Sequence, residues 1–362
     1  MPLSKILSTG IRNLAMNGAM QIAQRARSGT GLGTDTAAVF VVDRTFTASD
    51  SAGRYTASQN TVTDLAGFTK SLKLECTTAD TSIAAGEYFL LQHRWEGRDL
   101  QHLKKGTSDA ETLTLSFYVK GNAAATYTAE LYDYDNNRTF SQRFNVTTSW
   151  NRISLTYAGD TTGTYDNDSA LSLILLIWLH SGSTYNSGTQ NSGWAAVAQD
   201  TRANSSDTSF FDSTSRTFEI TGLQLEIGDV ATDFEHRSFE DELRRCKRYF
   251  QKSFAYDTAP ANDIAGVRTS EMPPSDSISY AGAIVYLEKT MRATPTCQAY
   301  NPQAAPANSG AYVNDLVNGS VTTEYAVSSV SASSSKLRFF LTTAPTIGGN
   351  PYGCNWTAQA EL

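Results

Sequence analysis

The chain of 362 residues is short of charge. Asp, Glu, Lys and Arg together make up 18% of it, against roughly 25% in an ordinary soluble domain. That shortage excludes coiled coils and charged disordered tails, which depend on dense charge. The charge present is not basic: 29 Lys and Arg against 36 Asp and Glu leave a net −7. A general nucleic-acid binder needs a basic face to displace counterions from phosphates, so nucleic acid is not an expected partner. No run approaches the ~18 apolar residues of a membrane helix. The candidate ALSLILLIWL at 170–179 fits a buried strand better, and membrane insertion is not expected. Cysteine is scarce. Cys76, Cys246, Cys297 and Cys354 lie far apart, without the short spacing of a zinc knuckle, and read as free thiols of a reducing compartment. The N-terminus lacks the continuous apolar core and cleavage site of a secretory signal, so folding in a cytoplasm is expected.

Catalytic signatures are also missing. The four histidines, His93, His102, His180 and His236, form no H-E-x-x-H pair, and no G-x-S-x-G elbow or P-loop occurs. The glycine run Gly29-Thr30-Gly31-Leu32-Gly33 lacks a following strand-turn-helix context and reads as a connector. No catalytic residue is assigned and an enzyme is not expected. A pair of carboxylates able to hydrolyse glycosides cannot be told from surface acids at this level.

What is abundant points to β structure. Hydrophobic residues make 40%, with 17 Tyr and 16 Phe, a mix that suits strands joined by polar turns. Leu72, Leu74 and Cys76 share one face. Leu113, Leu115, Phe117 and Val119 alternate with polar neighbours, as do Tyr127, Ala129 and Leu131, and Ile153, Leu155 and Tyr157. This period of two marks antiparallel sheets with one wet face. The run at 170–179 is apolar on both faces and predicts a central strand covered on both sides, by a packed loop or a second subunit. In RTFEITGLQLEIG (216–228) the apolar residues move from even to odd positions at Thr221-Gly222, which predicts a glycine bulge. Ser238, with Asp241 three residues on, predicts a capped helix over 239–252 carrying an apolar stripe of Phe239, Leu243, Cys246 and Phe250. Its RRCKR cluster reads as a solvated face. A short terminal helix is expected over 1–15, from Leu3, Ile6, Leu7, Ile11 and Leu14. Beyond 252, prolines punctuate short strands that read as a second, smaller β domain. The expected organisation is an attachment segment at 1–30, a β domain at 31–238, a linker helix at 239–252 and a C-terminal β domain at 253–362.

Two kinds of side chain are candidates for binding. Trp95, Tyr132, Tyr134, Tyr185 and Trp194 offer flat faces on which sugar C–H faces could stack, a core position being the alternative for each. Asp133, Asp135 and Asn137, with Asp166 and Asp168, have the oxygen-rich look of a calcium loop. Asp and Asn are equally the ordinary residues of hairpin turns. Calcium is therefore the one cofactor kept open. The long polar loop at 181–217, with Trp194, Phe210 and Phe211 in it, is where partner contact is expected.

Several segments carry a resemblance. NGAMQIAQR (17–25) with Asp43-Arg44, GLQLEIGDVATDFEHRSFEDELRRCKRYF (222–250), MRATPT (291–296) with YNP (300–302), and the terminal NWTAQAEL resemble virion structural proteins of tailed bacteriophages. The likeness spans most of 17–362 and is weakest over 90–215. It implies a carbohydrate-binding-module-like jelly-roll β-sandwich, a short helix and a second β-sandwich. It also implies a tail fibre or receptor-binding component of the virion, assembled in the host cytoplasm. Such proteins are often trimeric, so the expected partners are sister chains, other virion proteins and host-surface polysaccharide. A capsid decoration or connector protein and a surface-polysaccharide depolymerase are the rivals.

Overall fold

The structure is a computed structural model that describes residues 12–34, 38–262, 284–300, 312–317, 320–341, 352–353 and 355–362. It is nearly all antiparallel β. Two compact units are present, one comprising Met1–Ala23, Arg27–Glu242 and Leu362, the other Gln24–Ala26 and Leu243–Glu361.

The larger unit is a jelly-roll sandwich of two six-stranded sheets. Its strands, in chain order, are β1 (Ser28–Leu32), β2 (Thr45–Asp50), β3 (Arg54–Thr61), β4 (Lys70–Thr78), β5 (Tyr88–Glu96), β6 (Leu113–Gly121), β7 (Ala125–Asp133), β8 (Arg138–Val146), β9 (Asn151–Tyr157), β10 (Leu171–Ser181), β11 (Ala195–Ala196) and β12 (Thr217–Ile227). One sheet runs β1-β3-β4-β12-β6-β9 and the other β11-β8-β7-β10-β5-β2. The alternating residues meet between them. Leu72, Leu74 and Cys76 of β4 and Leu115 and Phe117 of β6, from the first sheet, share one continuous core with Tyr127, Leu131 and Phe144 of β7 and β8, from the second.

Central strand β10 is covered on both sides, and on its outer side the cover is a loop. Leu173, Leu175, Ile177 and Leu179 enter the main core. Ile174, Leu176 and Trp178 form a second cluster with Leu90 of β5 and Ala203 of the loop at 182–216. That loop is anchored at its far end by Phe210 and Phe211, both fully buried in the main core. The bulge in β12 is present: Thr221 pairs with Tyr118 but Gln224 with Ser116, a slip that lets Ile220 and Leu223 both face inward. Gly222 adopts φ +64° there.

Several expectations are corrected. The terminal helix falls partly on residues 1–11, outside the described residues, and 12–15 are not helical. Asn17 and Met20 have φ of +55°, which ends any right-handed helix. Leu14 N instead donates to Leu225 O at 2.8 Å, and the Asn13 side chain donates to Leu223 O at 3.0 Å. The segment is thus stitched to β12. The helix α2, after the single turn α1 (Ser183–Asn186), runs Phe239–Cys246 and no further. Ser238 caps it, its Oγ accepting from Asp241 N at 3.2 Å. Short-range bonds from Arg248 N to Arg245 O and from Tyr249 N to Cys246 O close it, and the chain turns extended. Phe239 is 45% exposed, so the predicted stripe is buried only towards its C-terminal end.

The smaller unit adds β13 (Phe250–Lys252), β14 (Ile284–Tyr286), β15 (Thr296–Tyr300), β16 (Tyr312–Val317), β17 (Ser320–Ser333), β18 (Lys336–Leu341), β19 (Tyr352–Gly353) and β20 (Asn355–Gln359). A three-stranded sheet, β13-β20-β15, and a five-stranded sheet, β14-β18-β17-β16-β19, share a core of Val285, Met291, Ala299, Leu337, Phe339, Trp356, Ala358 and Ala360. Cys76, Cys246 and Cys297 are free thiols; Cys354 lies outside the described residues. Among the described residues no helix is long and apolar enough to cross a membrane.

Candidate functional site

Alternation along β5, β7 and β10 puts every second residue on the outer face of the second sheet. Tyr88, Tyr132 and Trp178 arrive there from three adjacent strands, Ile174 pairing with Tyr132 and Trp178 with Leu90 and Thr128. The covering loop adds Tyr185 and Arg202, and the β7–β8 turn adds Tyr134. The result is a continuous row of flat groups. Tyr88 meets Tyr185 edge-on at 6.0 Å, and Tyr185 lies 5.1 Å from Trp178. The Arg202 guanidinium sits 5.3 Å from the Trp178 ring and 4.9 Å from Tyr132. Tyr132 meets Tyr134 in a T at 6.0 Å. Tyr134 is 54% exposed, whereas Trp178 is 2% exposed beneath its neighbours. The row is therefore a wall whose open end is Tyr134.

Buried polar groups hold the row. Glu130, fully buried, accepts from Trp178 Nε1 at 2.7 Å, Thr139 Oγ1 at 2.5 Å and Arg202 Nε at 2.9 Å. The carboxylate thus neutralises the arginine and fixes both flat groups. Asp207 does the same for the loop, accepting from Thr128 Oγ1 at 2.5 Å and Arg143 Nε at 2.7 Å. Burial raises the Asp207 carboxyl above its ordinary value, against the lowering effect of those two bonds. Burial likewise raises the Tyr132 and Tyr88 phenols, so both rings are neutral.

Three of the five predicted rings, Tyr132, Tyr134 and Tyr185, share this row. Trp95 does not. It is 3% exposed in the main core, its Nε1 donating to Leu14 O at 2.9 Å, because its position in β5 points inward. Trp194 is half-buried elsewhere on the loop, bonded to Ala158 O at 2.7 Å and edge-on to Phe140 at 6.1 Å. Trp178, whose covered strand marks it as a buried ring, is indeed buried, and it backs the row from beneath. The residues missed were Tyr88, Arg202 and Glu130. The two-residue period places Tyr88 on the outer face, and is the signal that could have found it. Arg202 and Glu130 are 72 residues apart and carry no local signature.

The acidic turn residues assemble around a lysine. Asp133 is fully buried and 2.7 Å from Lys105 Nζ, which also reaches Asp160 at 3.2 Å. Asp133 Oδ1 accepts from Asn136 N, and Asn137 takes φ +51° as a left-handed turn residue. Asp135 Oδ2 accepts from Asp166 N at 3.0 Å, and Asp168 Oδ1 from Ala170 N at 2.8 Å. The charge opposite Asp133 is an ammonium, and the remaining acids hold turns. These are the bonds that the hairpin-turn reading of the five residues calls for.

No known family matches the chain, and no curated protein matches it. Similar solved structures include carbohydrate-binding modules and a phage tailspike domain. A CBM4 structure is 11% identical, over 48% of this chain and 78% of that one, with a TM-score of 0.26. The family 11 carbohydrate-binding module of the cellulosomal cellulase Lic26A-Cel5E of Clostridium thermocellum is 11% identical, over 57% of this chain and 98% of that one, with a TM-score of 0.27. The enzymatically active domain of tailspike protein 4 of bacteriophage CBA120 is 11% identical over 60% of this chain, which spans 21% of its length, with a TM-score of 0.31. These identities and scores assign neither a family nor a ligand.

Proposed function

We propose that the chain is a non-enzymatic glycan-contacting component of a tailed-phage virion, of tail fibre or receptor-binding type, and that the Tyr132–Tyr134 end of the outer-face row is its sugar platform. The observation that carries the reading is the row itself: flat groups from three strands and a loop, locked from below by Glu130 and open at Tyr134. Aromatic faces bring a large apolar area with little rotamer entropy to lose, which suits the C–H faces of a sugar ring. The Asn137 carboxamide, already accepting from Tyr132 Oη at 3.1 Å, stands ready for a sugar hydroxyl. The segments quoted above that resemble tailed-phage virion proteins support the virion setting. The non-enzymatic part rests on Glu130 and Asp207, whose oxygens are occupied by donors and cations rather than poised for acid–base work. Repetition of a weak site around a particle axis would add avidity without new contacts.

The test is a glycan array of bacterial surface polysaccharides probed with the purified chain, followed by calorimetry on the strongest hit. Binding is expected, with Tyr134→Ala and Tyr132→Ala each weakening it about tenfold, the equivalent of about 1.4 kcal/mol. A chain that binds no glycan but is retained by other virion proteins would replace this reading with that of a decoration or connector protein. Cleavage of a bound polysaccharide would replace it with a depolymerase.

A further inference from the structure

The loop between β4 and β5 and the end of β10 meet at one end of the larger sandwich, and three potential ligand groups converge there. Asp80 and Glu87 come from the loop and His180 from β10. One ligand atom from each lies within 4.8 Å of the others. His180 Nε2 is 3.8 Å from Glu87 Oε2, too far for a hydrogen bond. That nitrogen is buried and has no hydrogen-bond partner, in a residue only 2% exposed. The other ring nitrogen, Nδ1, is 2.8 Å from Ser209 Oγ.

Charge makes the arrangement unusual. Other buried acids of this unit face a cation: Glu130 has Arg202, Asp133 and Asp160 have Lys105, and Asp207 has Arg143. Among the described residues neither Asp80 nor Glu87 has a lysine or arginine partner, although Asp80 is 6% exposed. Both are instead fixed by neutral donors. Asp80 accepts from Ser51 Oγ at 3.2 Å and Ser82 N at 3.1 Å. Glu87 accepts from Ala52 N at 3.0 Å and Ala84 N at 2.7 Å. Two oriented carboxylates and a buried imidazole nitrogen thus bring three potential ligand atoms within 4.8 Å of one another.

We propose that Asp80, Glu87 and His180 bind a divalent first-row metal ion of the zinc type. One imidazole nitrogen with two carboxylate oxygens is a donor set for zinc, at about 2.0–2.2 Å from each. It is too poor in oxygen for calcium, which takes six to eight oxygens. The Nδ1 contact with Ser209 and the backbone bonds to both carboxylates are the outer-sphere supports that orient such ligands. The ion would tie the β4–β5 loop to the end of β10. The loop at 182–216 starts there, with Thr184 N bonded to Ala85 O and Gly182 N to Glu87 O.

The full chain, stripped with a chelator and dialysed, is titrated with Zn2+ by calorimetry and with Co2+ by visible absorption. Equimolar saturable uptake, cobalt ligand-field bands and a raised thermal midpoint with Zn2+ are expected, with no comparable effect of Ca2+. His180→Gln and Asp80→Asn should each weaken Zn2+ about tenfold or more, while Asp168→Asn, at a distant turn, should leave it unchanged. Absence of saturable Zn2+ uptake by the wild-type chain overturns the proposal, whether or not the variants fold. So does uptake that both His180→Gln and Asp80→Asn retain at wild-type affinity, or a preference for Ca2+.

Discussion

At the scale of single residues, two positions show how tightly the sandwich dictates its sequence. Gly222 holds the β12 bulge at φ +64°. A Cβ there would meet Phe68 Cζ and Tyr118 Cδ2 at 2.9 Å each. Gly222→Ala therefore adds left-handed strain of about 1–2 kcal/mol to the displacement of two rings. A fall in the urea midpoint matching about 2 kcal/mol or more is expected, and an unchanged midpoint would show that the bulge tolerates a side chain. This residue was legible in advance, because the shift of apolar positions across Thr221-Gly222 has no other economical cause. His93 was not. It is fully buried, its Nδ1 is 3.2 Å from Thr45 Oγ1 and its Nε2 has no partner. Burial first, and the nearby Arg44 charge second, hold its pKa well below the ordinary 6.5. The unfolded chain thus takes up a proton that the folded chain refuses. Stability is full above the unfolded value of about 6.5 and falls as pH drops below it towards the folded value, by up to about 1.4 kcal/mol per pH unit. Denaturation midpoints measured between neutral and mildly acidic pH should show this fall, and His93→Asn should flatten it.

Among elements, the relation between β10 and the loop over its outer face organises the candidate site. The run at 170–179 announced cover on both sides, and the structure supplies it with Ala203, Tyr185 and Arg202 from one chain. A sequence pattern can state that a strand face is hidden but not what hides it, since the partner lies beyond the reach of local periodicity. The same limit explains Trp95. Its ring was visible in the sequence, but its inward direction depends on the register of β5 against β10, where irregularities flank both ends of the pairing. The predicted α2, drawn to 252, overran its observed end at Cys246 by six residues, more than one and a half turns, because Phe250 fits an apolar stripe as well as a strand, and pairing of β13 with β20 decides the matter. The Glu130–Arg202 pair lets the loop's hold on β10 be measured. Removing the guanidinium with Arg202→Ala leaves a fully buried carboxylate without its cation, which costs about 3–5 kcal/mol, towards the low end because Trp178 and Thr139 still donate. The double variant Glu130→Gln with Arg202→Met should regain part of that loss. A double-mutant cycle in denaturant checks both. Equal losses in the single and double variants would mean that the loop is held by its phenylalanines instead.

For the whole molecule, the architecture was the most legible part, because the two-residue rhythm recurs in almost every strand of the larger unit and again in Trp356, Ala358 and Ala360 of the smaller. Function was less so, since the row of rings is assembled from residues as distant as Tyr88 and Arg202. One global property still constrains what that row would accept. The chain carries net −7, and a uniform excess of one sign acts over a Debye length of about 30 Å at 0.01 M salt but only about 8 Å at 0.15 M. Sugar stacking on rings involves no net charge transfer and releases no counterions. Affinity for a neutral oligosaccharide should then stay constant as salt rises through that range. An acidic polysaccharide would be repelled at low salt and bind better as screening increases, the reverse of the behaviour of a basic adhesin. Calorimetric titrations of a neutral and an acidic glycan at both ionic strengths separate the cases. Affinity for the neutral sugar that collapses with added salt would place the contact on charged side chains and remove Tyr132 and Tyr134 from the centre of the site.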